Sequence, residues 1–133
     1  MTATTLDEGL FDHLTSHAGL SALVGTRIHP DYFPEDEQLP AIAYALEDDR
    51  SMQTQQGPSS LRQAIYRLDV WANTIAETTD VMRLLCEALD GYRGSFKDIP
   101  IVGAFFDGAG RSRDPDTEAF CVSMRIVINY RQI

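Results

Sequence analysis

The sequence predicts an α+β domain: an antiparallel sheet of about four main strands with two helices packed on one face. Three observations carry that expectation. Apolar residues recur at helical spacing around Leu6 to Ala18 and again around Val81 to Tyr92. They alternate at strand spacing from Ala41, from Leu61 to Trp71 and from Phe120 to Arg131, with a further apolar run from Ile99 to Phe106. The resulting order of helix, hairpin, helix, hairpin is most simply satisfied by two layers sharing one core.

Leu6, Leu10, Leu14 and Ala18 form the apolar stripe of the first helix, with Asp7, Glu8, Asp12 and Ser16 between them, and Gly19 marks its end. The stretch Leu20 to Pro30 reads as a short turn of helix followed by a brief extended piece. Asp31 to Pro40 holds two prolines and four acids without periodicity, so a loop delivers the chain to the first long strand at Ala41. Ile42, Tyr44 and Leu46 alternate with alanines. Polar residues then run from Met52 to Ser60 and include Gly57-Pro58, the expected tip of a long hairpin.

On the return strand Tyr66, Leu68 and Val70 share one face, and Ile65, Arg67, Asp69 and Trp71 the other. Thr74 and Glu77 form a capping box, in which each side chain satisfies a backbone N–H left unpaired at a helix start. Val81, Leu84, Leu85, Ala88, Leu89 and Tyr92 follow as one stripe, and Gly91 supplies the left-handed residue that closes a helix. Gly103 interrupts the third strand, where a bulge is expected. Gly108 to Asp116 is read as the turn into a last strand with Phe120, Val122, Met124, Ile126, Ile128 and Tyr130 on one face.

Size and charge narrow the function. A chain of 133 residues buries roughly two thirds of its unfolded surface, enough for one self-sufficient domain. Its net charge of -9 and single lysine, Lys97, argue against tight binding to nucleic acid, which is gained by neutralising phosphates. The N-terminal residues carry no secretion pattern and no run reaches the length of a membrane span, so a protein kept in the cytosol, unless it leaves inside an assembly, is expected. Cys86 and Cys121 have neither the density nor the spacing of a disulfide or zinc framework and read as buried thiols.

No constellation for catalysis, cofactor or metal emerges. His13 and His17 have the spacing of paired ligands on one helical face but lack the carboxylate of a His-Glu-x-x-His motif. His29 has no nucleophile beside it. The acids at Glu35-Asp36-Glu37 and from Asp114 to Glu118 lack the ligand spacing of a calcium loop. Gly108-Ala109-Gly110 lacks the third glycine and the following helix of a dinucleotide fingerprint. No enzyme is expected. Arg67, Asp69 and Arg125 are the informative charges, because each sits mid-strand among apolar residues where a lone charge is costly. They pair either with one another across strands or with charges of a neighbouring subunit. The mixed second sheet face and the two unprotected edges point to an obligate neighbour.

Five segments, in order, resemble the phage tail completion family, tail-to-head joining proteins related to the tail terminators of long-tailed phages. They are Ala22-Leu23-Val24-Gly25 with Arg27-Ile28, Leu39-Pro40-Ala41-Ile42-Ala43-Tyr44, Gly57-Pro58, Leu68-Asp69-Val70-Trp71-Ala72, and Asp114 to Thr117 with the strand ending at Tyr130. The resemblance implies a structural virion protein at the head-proximal end of the tail, assembled in the host cytoplasm. It implies a homo-oligomeric, hexameric ring that caps the tail tube protein, stops its polymerisation and docks the head-tail connector protein. DNA would pass the lumen without specific binding. Subunit or tube contacts are then expected at Arg50, Gln55, Gln56 and Arg62 of the first hairpin tip and at Arg111, Arg113 and Asp114 of the second, together with Arg67, Asp69 and Arg125. A head completion or adaptor role in the same particle is the near alternative, and a small ligand-binding module the distant one.

Overall fold

Helix α1 spans Leu6–Thr15, and its start is set by Thr5, whose hydroxyl accepts from the Glu8 amide at 3.2 Å. Where the sequence predicts a single helix running to Ala18, the chain breaks at Ser16, and a second helix, α2, runs Ala18–Val24. The break is local chemistry: His17 is extended and its Nδ1 accepts from the Leu20 amide at 3.3 Å, capping α2. Strand β1 (Ile28–Pro30) follows, then the long hairpin of β2 (Ala41–Thr54) and β3 (Gly57–Ala72). Helix α3 (Ile75–Leu89) connects it to β4 (Gly94–Phe96) and to the second hairpin, β5 (Ile99–Arg113) and β6 (Phe120–Arg131). This computed structural model describes residues 5–31, 37–54, 57–113 and 118–131, apart from the side chains of 53, 54 and 57–59.

The strands form one curled six-stranded sheet of order β1-β2-β3-β6-β5-β4. The α+β expectation holds, with two corrections. The sheet gains β1 and β4 outside the four long strands, and β1 runs parallel to β2, pairing Ile28 with Ile42 and Pro30 with Tyr44. Each is three residues long, too short to display a period. Both hairpins also keep their strand pairing further than expected. β2 reaches Thr54, so Gly57-Pro58 opens β3 instead of forming the turn, and β5 continues through the predicted turn to Arg113.

One face of the sheet carries the core. Ile42 and Tyr44 of β2, Tyr66, Leu68 and Val70 of β3, and Met124, Ile126 and Ile128 of β6 meet Leu10 and Leu14 of α1, Leu20 of α2 and Val81, Leu85 and Leu89 of α3. The α3 stripe is as predicted from Val81 to Leu89, while Tyr92 lies past the end of the helix, and Thr74 caps its start by accepting from the Glu77 amide at 3.1 Å. α3 closes at Asp90, followed by Gly91 at φ +76°. Gly9 lets α1 approach β4: a Cβ there would stand 2.8 Å from the Phe96 Cβ and 3.0 Å from its carbonyl oxygen. Polar ties bind the layers. The Tyr66 hydroxyl donates to the Asp7 carboxylate, and the His13 ring lies against Tyr92 and Phe96 with Nε2 2.8 Å from the Ala88 carbonyl oxygen.

Candidate subunit interface

Alternation sends every second residue of the four long strands to the face away from the helices, and the register sorts them into rows. Ala41, Trp71 and Cys121 form one row; Ala43, Asp69 and Ser123 the next; then Ala45, Arg67 and Arg125; then Asp48, Ile65, Val127 and Phe105; then Arg50, Gln63 and Asn129. Small residues on this face are shielded by larger neighbours, so Ala41, Ala43, Cys121 and Val127 are buried although no helix covers them. Burial pushes the Cys121 thiol above its ordinary range. Neither cysteine is bridged.

The charged row has a definite logic. Arg67 and Arg125 are register partners, and like charges directly opposite repel. Each is neutralised by its own carboxylate. Arg67 Nε lies 3.1 Å from Asp69 Oδ2, and Asp69 Oδ1 also accepts from the Ser123 hydroxyl at 2.7 Å. Arg125 Nε lies 3.4 Å from Glu47 Oε1. The three do not pair with one another across strands: Arg67 and Asp69 pair along β3 itself, and Arg125 turns to Glu47, a residue that the sequence did not single out. A β-bulge between Leu46 and Asp48 puts Glu47 within reach. An open depression of about 300 Å³ lies beside these groups, lined by Glu47, Arg67, Asp107, Ser123 and Arg125 and floored by Gly108 to Gly110.

The remaining predicted positions divide between the two faces. Arg50 is on the open face and donates from Nε to Asp48 Oδ2 at 2.8 Å. The bulge turns Asp49 the other way, to the helix side, where Arg62 Nε meets its carboxylate at 3.1 Å and the Tyr130 hydroxyl donates to it at 2.8 Å. Burial first, then the Asp49 contact, raises the Tyr130 phenol above its usual range. Arg111 and Arg113 are also on the helix side, at the far end of β5. Arg111 borders a groove against Thr78, Thr79 and Met82 of α3, and Arg113 sits over the Phe120 ring, 5.4 Å from its centroid. Gln55, Gln56 and Asp114 lie outside the described residues. The seven described positions thus form no single site; they are spread over the two faces of one sheet.

Exposed apolar surface is concentrated at the sheet margins. Leu46 and Met52 lie on β2, and Val102 and Phe105 on β5, the two strands whose outer edges are only partly covered by β1 and β4. Leu46 and Phe105 are each 46% exposed, unusual for strand residues of that size in a finished sheet. Among the described residues no group of three or more His, Cys, Asp or Glu is placed to hold a metal ion, no buried side-chain polar atom lacks a partner, and no helix is long and apolar enough to cross a membrane.

A family model described as "Tail completion protein gp17" matches residues 8–131. Among solved structures, the fold is similar to a chain of "Virion of native gene transfer agent (GTA) particle", with a TM-score of 0.79 and 18% sequence identity over 96% of this chain and 95% of that one. No curated protein matches the sequence.

Proposed function

We propose that this chain, which belongs to the tail completion protein gp17 family, is a non-enzymatic virion protein that forms a ring at the head-proximal end of a phage or phage-derived tail. One observation supports this reading above the others. The curled sheet is unfinished along β2 and β5, whose outer edges β1 and β4 cover only in part and which carry the exposed Leu46, Met52, Val102 and Phe105. A monomer that kept those edges bare would invite uncontrolled strand pairing, whereas a head-to-tail ring uses both of them in every subunit. The virion origin of the similar fold fits the same role.

In this reading the ring caps the tail tube protein, stops its growth and offers a surface to the head-tail connector. The open face lines the passage for DNA. Three of its arginines are held by carboxylates, Arg50 by Asp48, Arg67 by Asp69 and Arg125 by Glu47, and Arg131 at its margin donates to the Ser60 hydroxyl, which weakens the face's grip on a phosphate backbone. The β2–β3 hairpin reaches past β6, whose last pairing is Arg131 with Leu61, and would touch the next ring.

The deciding experiment removes the chain from a producing system and images the tails. Tubes of unregulated length without heads are expected. Tails of normal length beside filled, unjoined heads would move the role to head completion, and intact infectious particles would overturn the proposal.

A further inference from the structure

The outer edges of β2 and β5 are unfinished in complementary ways. β1 covers β2 only to Tyr44, whose carbonyl accepts from the Asp31 amide at 2.7 Å, while the Ile42 amide donates to the Arg27 carbonyl at 2.9 Å. From Ala45 to Thr54 no described strand lies outside β2. On β5, β4 pairs with Ile99 to Ile101, and the end of α3 then takes over. The Gly91 amide donates to the Ala104 carbonyl at 2.8 Å, and the Phe106 amide to Asp90 Oδ1 at 3.2 Å. Beyond Phe106, β5 pairs with β6 alone, and all seven residues from Asp107 to Arg113 are exposed.

The two edges match in direction and in parity. Every neighbour in the series β2-β3-β6-β5 is antiparallel, so β2 and β5 run oppositely, and a copy rotated into place beside β5 presents its β2 antiparallel to it. The outward-pointing backbone groups of β2 belong to Ile42 and Tyr44 and, by alternation past the bulge, to Leu46, Asp49 and Ser51. Those of β5 belong to Ala104 and Phe106 and then to Ala109, Arg111 and Arg113. On both strands these are the helix-side residues, so a ladder joining them keeps all helices on one side.

We propose that Ala109 to Arg113 of β5 pairs antiparallel with Leu46 to Ser51 of β2 in a second copy of this chain, setting Arg113 opposite Leu46, Arg111 opposite Asp49 and Ala109 opposite Ser51. This rests on the ring reading above and adds to it the edge, the direction and the register. It is the smallest offset that both clears β1 and preserves face parity. Arg111 meets the Asp49 carboxylate, the exposed Leu46 lies under the Arg113 stem, and Gly108 and Gly110 leave open space where the chains approach. Measured along β3, Leu46 is level with Tyr66 and Arg113 with Ala72, a step of six residues. At about 3.3 Å per residue and about 4.8 Å per strand, that step across four strands inclines them by about 45°, at the upper end of the tilt that closed barrels adopt.

The test uses cysteines in isolated particles. Ser51→Cys with Ala109→Cys should give, on mild oxidation, a ladder at multiples of 14.8 kDa that neither single variant shows. Ser51→Cys with Gly110→Cys, which places one thiol on the opposite face, should give none. In the unmodified protein, the outward-pointing amides of Ala109, Arg111 and Arg113 should exchange quickly in the isolated chain and slowly in the particle. A chain present in particles without a ladder, or with unchanged exchange in that stretch, overturns the pairing and leaves the virion role standing. A chain absent from particles overturns both.

Discussion

Replacing Asp69 with alanine isolates the logic of the charged row. The carboxylate accepts from the Ser123 hydroxyl at 2.7 Å and meets Arg67 Nε at 3.1 Å, and its side chain is only 18% exposed. Losing a hydrogen bond to a charged group costs about 1.5–3 kcal/mol. The Arg67 pair is half exposed and adds about 0.5 kcal/mol at most. What remains is Arg67 directly opposite Arg125 with one counterion fewer, worth up to about 1 kcal/mol against the fold. The total is about 3 kcal/mol. With an unfolding entropy of about 2.1 cal/mol/K per residue over 133 residues, Tm should fall by about 10 °C. Scanning calorimetry of the wild type, Asp69→Ala, Arg125→Met and the double variant provides the check. Arg125→Met should be close to neutral or mildly destabilising alone and should restore part of the loss beside Asp69→Ala. A fall of under about 2 °C for Asp69→Ala, or an Arg125→Met effect equal in both backgrounds, would refute the argument that these pairs exist to offset the opposed arginines.

Other outcomes follow from the packing and the buried phenols. Leu85→Ala removes a fully buried side chain from the α3 stripe and should cost about 2–5 kcal/mol, read from a urea melt. Gly9→Ala should destabilise by about 1–3 kcal/mol despite a helix propensity gain of about 1 kcal/mol, because the new methyl meets the Phe96 backbone; equal or higher stability would show that β4 yields. Tyr44, Tyr66 and Tyr130 are all held above the ordinary phenol value of 10.0, chiefly by burial. Their neutral forms are favoured in the fold, so the unfolded chain loses protons first as pH rises and stability should decline above about pH 10. Denaturant melts from pH 8 to 11 should show a shallower decline for Tyr66→Phe.

Long periodic elements were legible from residues alone, and features set by single backbone irregularities were not. The α3 stripe, its Thr74–Glu77 cap and the alternation of β6 fall where the spacing puts them. The short helix expected after Leu20 is α2, but its start at Ala18 was misplaced because Gly19 looks like a helix end, and because a histidine caps it where Ser, Thr, Asp or Asn would announce a start. Strict alternation along β2 assigns Glu47 and Asp49 to one face and Asp48 to the other. The bulge at Glu47 swaps the faces of Asp48 and Asp49, which is why the Arg50–Asp48 pair and the Asp49–Arg62–Tyr130 contact were invisible in the sequence. On the open face, Arg67 and Asp69 were recognisable as charges out of place. The bare half of β5 was hidden, since Gly108-Ala109-Gly110 has the composition of a turn.

The two hairpins run in opposite directions: β2 and β3 stay paired past the Leu61–Arg131 row to Thr54 and Gly57, and β5 and β6 have their last pairing at the other end, in the row of Ala72, Phe120 and Arg113. Cyclic symmetry preserves that direction from copy to copy. Any closed circle of these subunits therefore has a top that differs from its bottom, one crowned by the longer ribbon and the other by the shorter, and it can be stacked in one orientation only. A ring that met two unlike structures would need that one-way character, and it is present in the connectivity of a single chain.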